Sequence, residues 1–274
     1  MIRNYVTKLR TPGNRTITLQ IMKNFIKKIL SLFGYKILKN FSGMEVVNKN
    51  DLIPFQENNH KYKLYKYGLQ KSSNEWSDNF FKQNRFINLI QLVRHILSKN
   101  EVFDFVECGC WKGHSTFIIS SLIKESKKKI YFHIFDSFEG LSKSTENDLS
   151  FHKLDKNENK RVRDQFSSSE NFVKKKVLKN FNFCKTYKGW IPSRFQDIDG
   201  KKFSFVHIDV DLYEPTKKSL EFFFPRLQKN GIIVCDDYNY KIFDGAKKAW
   251  DEYFLDKEYQ FFYENSMGGC FFVK

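Results

Sequence analysis

Apolar residues in the C-terminal two thirds of the chain alternate between short continuous runs and helical spacing. The continuous runs are typical of strands buried on both faces and predict strands at 102–108, 129–135, 181–187, 203–209 and 231–235. The helical spacing predicts intervening helices at 114–125, 159–179, 215–227 and 242–255. Alternating strands and helices indicate a parallel sheet. The predicted fold class is therefore α/β, with a doubly wound, mostly parallel, Rossmann-like sheet.

The two ends of this pattern complete the predicted architecture. Apolar runs at 259–263 and 270–273, separated by a Gly-containing turn, predict a hairpin that gives the sheet an antiparallel C-terminal edge. Upstream, helical spacing runs from Phe80 to Ile96, with Ser77 or Asp78 as the N-cap. We assign 76–274 to one globular domain and 1–75 to an N-terminal helical arm.

The arm contains one strongly patterned stretch. Apolar residues from Met22 to Phe33 recur at helical spacing, lysines occupy the other face, and Gly34 is a stop signal. This pattern predicts a short basic amphipathic helix. Two interpretations are open: residues 21–34 lie on an anionic membrane surface, or the apolar face packs on the same chain or on a second subunit of a homo-oligomer. Residues 40–75 are polar and predict a linker or an ordered arm.

Charge and cysteine content narrow the possible functions. The net charge is +16, but residues 1–50 carry ten Lys and Arg against the single acid Glu45, so the rest of the chain holds only +7. A basic arm attracts any anion, and nothing resembles an aromatic RNA-stacking motif, so we do not expect nucleic acid as the main partner. The five cysteines form no Cys-x-x-Cys pair. With no signal peptide or run of ~18 apolar residues, we expect a cytoplasmic protein, with peripheral contact at the inner membrane face through the basic helix.

The first predicted strand ends in a glycine-containing turn, Glu107-Cys-Gly-Cys-Trp-Lys-Gly113. Gly109 and Gly113 allow a tight turn that brings backbone amides close to a ligand at the next helix N-terminus, near Ser115. The turn is neither a dinucleotide fingerprint nor a Walker A loop. An acid two residues before the first glycine is instead seen in methyltransferases that bind S-adenosylmethionine. A purely structural turn is the alternative.

The second strand ends at Asp136-Ser137. A carboxylate at this position is placed to accept hydrogen bonds from both ribose hydroxyls of a nucleoside. An exposed turn acid is the alternative interpretation. Glu107 and Gly109 upstream favour ribose binding by Asp136.

Acids also follow the two later strands, in His207-Ile-Asp209-Val-Asp211 and in Cys235-Asp236-Asp237. In an open parallel sheet these strand ends face one crevice. Carboxylates converging there would repel unless a cation neutralised them, and hard oxygen ligands suit Mg²⁺. We predict a metal site of Asp209, Asp236 and Asp237, with Asp211 as a competitor for the role of Asp209. Helix capping by the Asp236-Asp237 pair is the alternative.

The motifs together resemble the macrocin O-methyltransferase family, class I S-adenosylmethionine enzymes that methylate sugar hydroxyls. The resemblance covers roughly 104–253 and rests on VECGCWKGHST, FDSFEGL, KGW, HIDVDLYEPT, FPRLQKNGIIVCDDY and GAKKAWDEY. It implies that 76–274 is a methyltransferase domain and that the acids hold a Mg²⁺ binding the acceptor's vicinal oxygens. One departure is Val210, where the family usually has Gly.

The function predicted on these grounds is Mg²⁺-dependent O-methylation of a sugar-containing acceptor. We assign the cofactor, S-adenosylmethionine, to Glu107, Gly109, Gly113, Ser115, Asp136, Ser137, Gly189 and Trp190. For the general base, His152 in the insertion after the second strand competes with Asp209 and Asp211. A catechol-type O-methyltransferase and a basic nucleic-acid methyltransferase or binding protein are the rival functions.

Overall fold

The chain forms two compact units, Met1–Gln56 and Glu57–Lys274. The computed structural model describes residues 15–33, 35–40, 43–48, 59–73, 78–265 and 268–274. The predicted boundary after residue 75 differs from this division, because the helix His60–Lys71 belongs to the second unit. Among the described residues no helix is long and apolar enough to cross a membrane.

The first unit contains a helix and a hairpin. Helix α1 (Arg15–Leu32) begins seven residues before the predicted start at Met22. Strands β1 (Tyr35–Asn40) and β2 (Gly43–Asn48) pair antiparallel, with Tyr35 opposite Asn48. Gly34, the predicted stop signal, lies outside the described residues.

The second unit opens with two helices. Helix α2 (His60–Lys71) was not predicted, because only Leu64, Tyr65 and Gly68 are buried in a lysine-rich sequence. Helix α3 (Phe80–Leu97) is capped by Asn79, whose side chain accepts a hydrogen bond from the Lys82 amide. The predicted cap Asp78 instead accepts hydrogen bonds from Tyr65, Lys66 and Gln83. Ser77 lies outside the described residues.

The remaining elements alternate as predicted. The strands are β3 (Asp104–Cys108), β4 (Phe132–Asp136), β5 (Cys184–Lys188), β6 (Phe203–Ile208), β7 (Leu227–Cys235), β8 (Phe261–Glu264) and β9 (Cys270–Val273). The α-helices are α4 (His114–Ser126), α5 (Leu149–His152), α6 (Lys156–Gln165), α7 (Glu170–Phe172), α8 (Tyr213–Arg226) and α9 (Asp244–Phe254). Short π and 3₁₀ turns lie at Val173–Val177 and Phe195–Ile198.

The helix predicted at 159–179 is divided in the structure. Asp155 caps α6, and a non-helical stretch after Gln165 leads to Ser169, which caps α7 through the Phe172 amide. Serine side chains compete with backbone hydrogen bonding inside helices and favour caps, so the serine-rich stretch ends one helix and starts the next.

Seven strands form one sheet in the order β5-β4-β3-β6-β7-β9-β8. Strands β3 to β7 are mutually parallel, and β9 pairs antiparallel with both β7 and β8. This confirms the mostly parallel sheet with an antiparallel C-terminal edge. Because the order reverses between β3 and β6, the topological switch point lies at their carboxyl ends, where open α/β sheets bind ligands.

Alternate residues of the strands fill two cores, one on each face of the sheet. Phe105 packs in one core with residues of α3 and α4, whereas Val106 packs in the other with residues of α8 and α9. Both faces of β3 are buried and β3 lies in the middle of the sheet, so its carboxyl end lies at the middle of the site.

Candidate active site

A cleft opens at the carboxyl ends of the parallel strands. Open α/β sheets bind their ligands at this edge. Its lining combines aromatic and apolar side chains with three acids from the ends of two strands, β4 and β6. The lining residues are Gly109, Trp111, Phe135, Asp136, Ser137, Gly140, Leu141, Ser142, Phe166, Trp190, Ile191, Asp209, Val210, Asp211 and Pro215.

The turn after β3 requires glycine at position 109. Gly109 has a φ of +83°, and a Cβ added there would lie 1.8 Å from the Asp209 carbonyl oxygen. The close approach follows from sheet pairing, because the Asp209 amide donates to the Cys108 carbonyl over 2.8 Å. Gly113 also has a positive φ, +84°, and leads into α4. The predicted backbone turn at the floor of the cleft is therefore present.

Asp136 organises this turn through its carboxylate. One oxygen, Oδ2, accepts hydrogen bonds from the amides of Cys110 and Trp111 at 2.7 and 2.8 Å, and Oδ1 accepts one from Phe138 at 2.6 Å. Burial raises the pKa of the Asp136 carboxyl, against the lowering effect of these backbone bonds. Asp136 thus lines the cleft, as expected for a ribose ligand, and also fixes the backbone beneath it.

Glu107 has a different environment from the one predicted. It is fully buried within β3, and its carboxylate accepts a hydrogen bond from the Thr116 hydroxyl at 2.5 Å. Its other oxygen lies 3.1 Å from Nδ1 of His207, the residue opposite it on β6. Burial alone would lower the pKa of His207, but the hydrogen bond and charge of Glu107 outweigh burial and raise it. Glu107 does not line the cleft and forms a buried pair with His207.

Three carboxylates come together at the edge of the cleft. Oxygen atoms of Asp209, Asp211 and Asp237 all lie within 4.8 Å of one another. Asp211, at a φ of +62°, donates its amide to Asp237 Oδ2 over 2.9 Å. Burial raises the pKa of all three acids, and the charge of Asp209 contributes to raising the pKa of Asp237 to about 7. This set of hard oxygen donors fits a divalent cation, which would relieve the mutual repulsion.

Asp236 lies outside this cluster, although the sequence placed it there. Its carboxylate forms an ion pair with Arg85 of α3, and it lies 3.9 Å from Nε2 of His207. A chain of alternating charge thus runs from the half-buried pair of Arg85 and Asp236 to the buried His207 and Glu107. The structure brings together two of the three predicted ligands, Asp209 and Asp237, and places Asp211 where Asp236 was expected.

The other predicted site residues divide into two groups. Ser137 and Trp190 line the cleft, and the Ser137 hydroxyl donates to the Gly140 carbonyl over 3.0 Å. Ser115 is buried in the first turn of α4, and the Gly189 amide donates to the Asp136 carbonyl over 3.0 Å, but neither lines the cleft.

His152, the predicted alternative base, ends α5 and is exposed. It is absent from the lining of the cleft. Asp209 and Asp211, by contrast, belong to the three-carboxylate cluster and line the cleft, so the structure favours these two over His152 as acceptors of a proton.

Two further features of the site were not predicted. The first is the ion pair of Arg85 with Asp236. The two residues are 151 positions apart, and the sequence around Arg85 does not indicate that its side chain points toward the sheet. Trp111 and Phe166, whose rings lie 6.0 Å apart, form an aromatic wall of the cleft. Trp111 belongs to the quoted glycine turn, so it could have been identified there, whereas the long-range contact with Phe166 left no local signal.

Comparison with known proteins agrees with this arrangement. The family model described as macrocin O-methyltransferase (TylF) matches residues 26–260. The chain is 24% identical over 204 residues to the demethyldecarbamoylnovobiocin O-methyltransferase of Streptomyces niveus, which covers 71% of this chain and 75% of the relative. It is 25% identical over 183 residues to the 8-demethyl-8-(2,3-dimethoxy-alpha-L-rhamnosyl)-tetracenomycin-C 4'-O-methyltransferase of Streptomyces olivaceus, covering 62% of this chain and 64% of that protein.

Solved structures show the same fold. The O-methyltransferase NovP superposes with a TM-score of 0.58 at 21% identity, covering 75% of this chain and 87% of NovP. The calicheamicin methyltransferase CalS11 gives a TM-score of 0.54 at 15% identity, covering 81% of this chain and 96% of CalS11. At these identities the likeness establishes the class I methyltransferase fold.

Proposed function

Because the chain belongs to the macrocin O-methyltransferase family and is an S-adenosylmethionine-dependent O-methyltransferase, we propose that it methylates a sugar hydroxyl with the help of Mg²⁺. The observation that carries this proposal is the position of the three-carboxylate cluster, Asp209, Asp211 and Asp237, at the edge of the cleft beside the glycine turn. A methyl donor bound in the cleft would lie next to an acceptor bound at the three-carboxylate cluster.

The cleft suits the methyl donor in shape and chemistry. Gly109 forms the tight turn that lines the cleft, and Asp136 lines the cleft with a carboxylate that can accept hydrogen bonds from ribose hydroxyls. Trp111, Phe166 and Trp190 offer aromatic surface to an adenine ring. Val210 lines the cleft without closing it, so the departure from the family's Gly is compatible with cofactor binding.

The three-carboxylate cluster suits a hard divalent cation. When bound, Mg²⁺ supplies Lewis acidity, which lowers the pKa of a coordinated hydroxyl and fixes its direction. The protein's own part is to hold the acids in place: Asp211 sits in a left-handed turn and donates a hydrogen bond from its backbone amide to the Asp237 carboxylate.

The transfer itself needs alignment and one proton acceptor. The acceptor oxygen attacks the methyl carbon in line with the carbon–sulfur bond, which breaks as the carbon–oxygen bond forms. The hydroxyl proton passes to Asp209 or Asp211, the two members of the cluster that line the cleft.

The acceptor class is supported by the relatives. The Streptomyces olivaceus protein is named for the 4'-oxygen of a rhamnosyl group, and we extend to this chain the use of a sugar hydroxyl. A nucleic-acid acceptor is not favoured, because the lining of the cleft is mainly aromatic and apolar around three acids, and acids repel a phosphate backbone.

The test is a transfer assay with radiolabelled S-adenosylmethionine and three acceptors: a rhamnoside, a catechol and an RNA. We expect label on the rhamnoside only, with transfer lost in chelator and restored by Mg²⁺. Label on the catechol would indicate the catechol-type alternative, and label on RNA the nucleic-acid alternative. Full transfer in chelator would contradict the metal proposal, whichever acceptor is used.

A further inference from the structure

Helix α1 exposes a continuous apolar face. Among the residues whose side chains are described, five large apolar ones are solvent-exposed at its C-terminal end. They are Phe25 at 63%, Ile26 at 44%, Ile29 at 39%, Leu32 at 80% and Phe33 at 74%. The Phe33 amide still donates to the Ile29 carbonyl, so Phe33 follows the helical path. At ~100° per residue these five side chains fall within an arc of about 120°.

Basic residues border this face. Lys27 and Lys28 are exposed and lie outside the apolar arc by helical position, on the other half of the helix. The surrounding residues 1–50 carry ten basic residues against one acid. An apolar stripe bordered by lysines is the pattern of helices that lie in the plane of a membrane surface, where the ammonium groups reach the headgroups.

We propose that this face of α1, formed by Phe25, Ile26, Ile29, Leu32 and Phe33, binds an anionic phospholipid surface. Charge favours this occupant over a second copy of the chain, since two copies would bring together two arms of +9 each. The apolar face favours a lipid surface over nucleic acid. Binding to nucleic-acid phosphates would use the lysines but would leave the five hydrophobic side chains exposed. The acceptor of a membrane-bound enzyme would then be presented at the lipid surface.

The proposal is tested by co-sedimentation of the full chain with phosphatidylcholine vesicles, with or without a third of phosphatidylglycerol. We expect the chain to bind the anionic vesicles. Added salt should weaken this binding without abolishing it, because burial of the apolar face does not depend on charge. The variant Ile29→Asp/Leu32→Asp should bind roughly tenfold more weakly or worse, because two buried apolar side chains are lost. The control Asn24→Asp/Ser31→Asp makes the same charge change on the polar face and should keep its vesicle affinity within a factor of about three.

Several results would overturn the proposal. Equal weakening in both variants would mean that charge alone attracts the arm to lipid. A dimer in light scattering that Ile29→Asp/Leu32→Asp dissolves, without vesicle binding, would assign the face to a second copy. If the chain binds RNA but not vesicles, and Ile29→Asp/Leu32→Asp does not change the RNA affinity, the arm binds nucleic acid instead. Methyl transfer to a soluble acceptor, measured on both variants, verifies that the enzyme unit is folded in each comparison.

Discussion

Gly109 and Asp209 lie in backbone contact: a Cβ on Gly109 would be 1.8 Å from the Asp209 carbonyl oxygen. The contact joins the glycine turn after β3 to the first acid of the three-carboxylate cluster. A shift of the glycine turn would therefore displace the backbone of Asp209. In-line methyl transfer is sensitive to such displacements, since a shift of about 1 Å can cost about a hundredfold in rate.

Gly109→Ala is therefore expected to abolish methyl transfer and to destabilise the fold by several kcal/mol, beyond the ~1–2 kcal/mol of a left-handed alanine. Gly200→Ala is the matched control, because Gly200 has a similar φ of +77° but nothing within 4 Å of an added Cβ. Urea denaturation and transfer assays on both variants separate the two effects. Equal losses in the two would show that backbone strain alone, and not the contact with Asp209, governs position 109.

Much of the fold could be predicted from sequence because β3, β6 and β7 are buried on both faces. Such strands appear in the sequence as continuous apolar runs. The number of residues between successive runs is typical of the crossover helices that connect parallel strands. Helix α2 could not be predicted in the same way, since its three buried residues give a weak period among lysines. Its burial depends on α3 and α4, which are contacts between distant parts of the chain.

The acids were predicted by position along the chain, and the limits of that reasoning appear at Asp236. Successive residues of a strand point to opposite sides, so Asp236 and Asp237 cannot both enter the same cluster while β7 continues straight. Asp211 reaches the cluster through a positive φ that no pattern of apolar residues encodes. Arg85, which pairs with Asp236, comes from α3 and is invisible to local sequence analysis.

Substitutions of Asp211 and Asp236 distinguish the ligand set seen in the structure, which includes Asp211, from the set predicted from the sequence, which includes Asp236. Asp211→Asn should weaken Mg²⁺ binding by roughly ten- to a hundredfold, because the cluster loses a charged donor. Asp236→Asn should retain Mg²⁺ affinity within a factor of about three, since Asp236 is paired with Arg85. Calorimetric titration with Mg²⁺, without cofactor or acceptor, measures both. The reverse order would mean that Asp236 leaves Arg85 to bind the ion, as the sequence pattern first suggested.

Glu107→Gln is predicted to affect stability more than cofactor affinity. Removing the charge leaves His207 without its buried counter-ion, and breaking a buried pair from one side costs about 3–5 kcal/mol. Glu158→Gln, at an exposed pair with Arg161, is the control and should leave the free energy of unfolding nearly unchanged. Urea denaturation and cofactor titration are measured together. A large loss of cofactor affinity with unchanged stability would show that Glu107 touches the ligand, as its place in the motif suggested.

Acid sensitivity is predicted to arise partly at His114. Burial lowers its pKa to about 3, its Nε2 lies 3.0 Å from the Tyr65 carbonyl, and its ring stacks on Phe86 at 3.9 Å. The folded protein therefore keeps His114 neutral while the unfolded chain takes up a proton below its ordinary pKa of about 6.5.

Since the unfolded state binds more protons in that window, His114 lowers stability as pH falls from about 6.5 toward 3, by up to ~1.4 kcal/mol per pH unit. His114→Gln keeps a side-chain donor for the Tyr65 carbonyl but cannot titrate. The difference in unfolding free energy between wild type and this variant, measured by urea denaturation from pH 7 to pH 5, should shift in favour of the variant as pH falls. A constant difference across that range would show that His114 takes up its proton equally in both states, and that the buried contact with Tyr65 does not exclude the imidazolium.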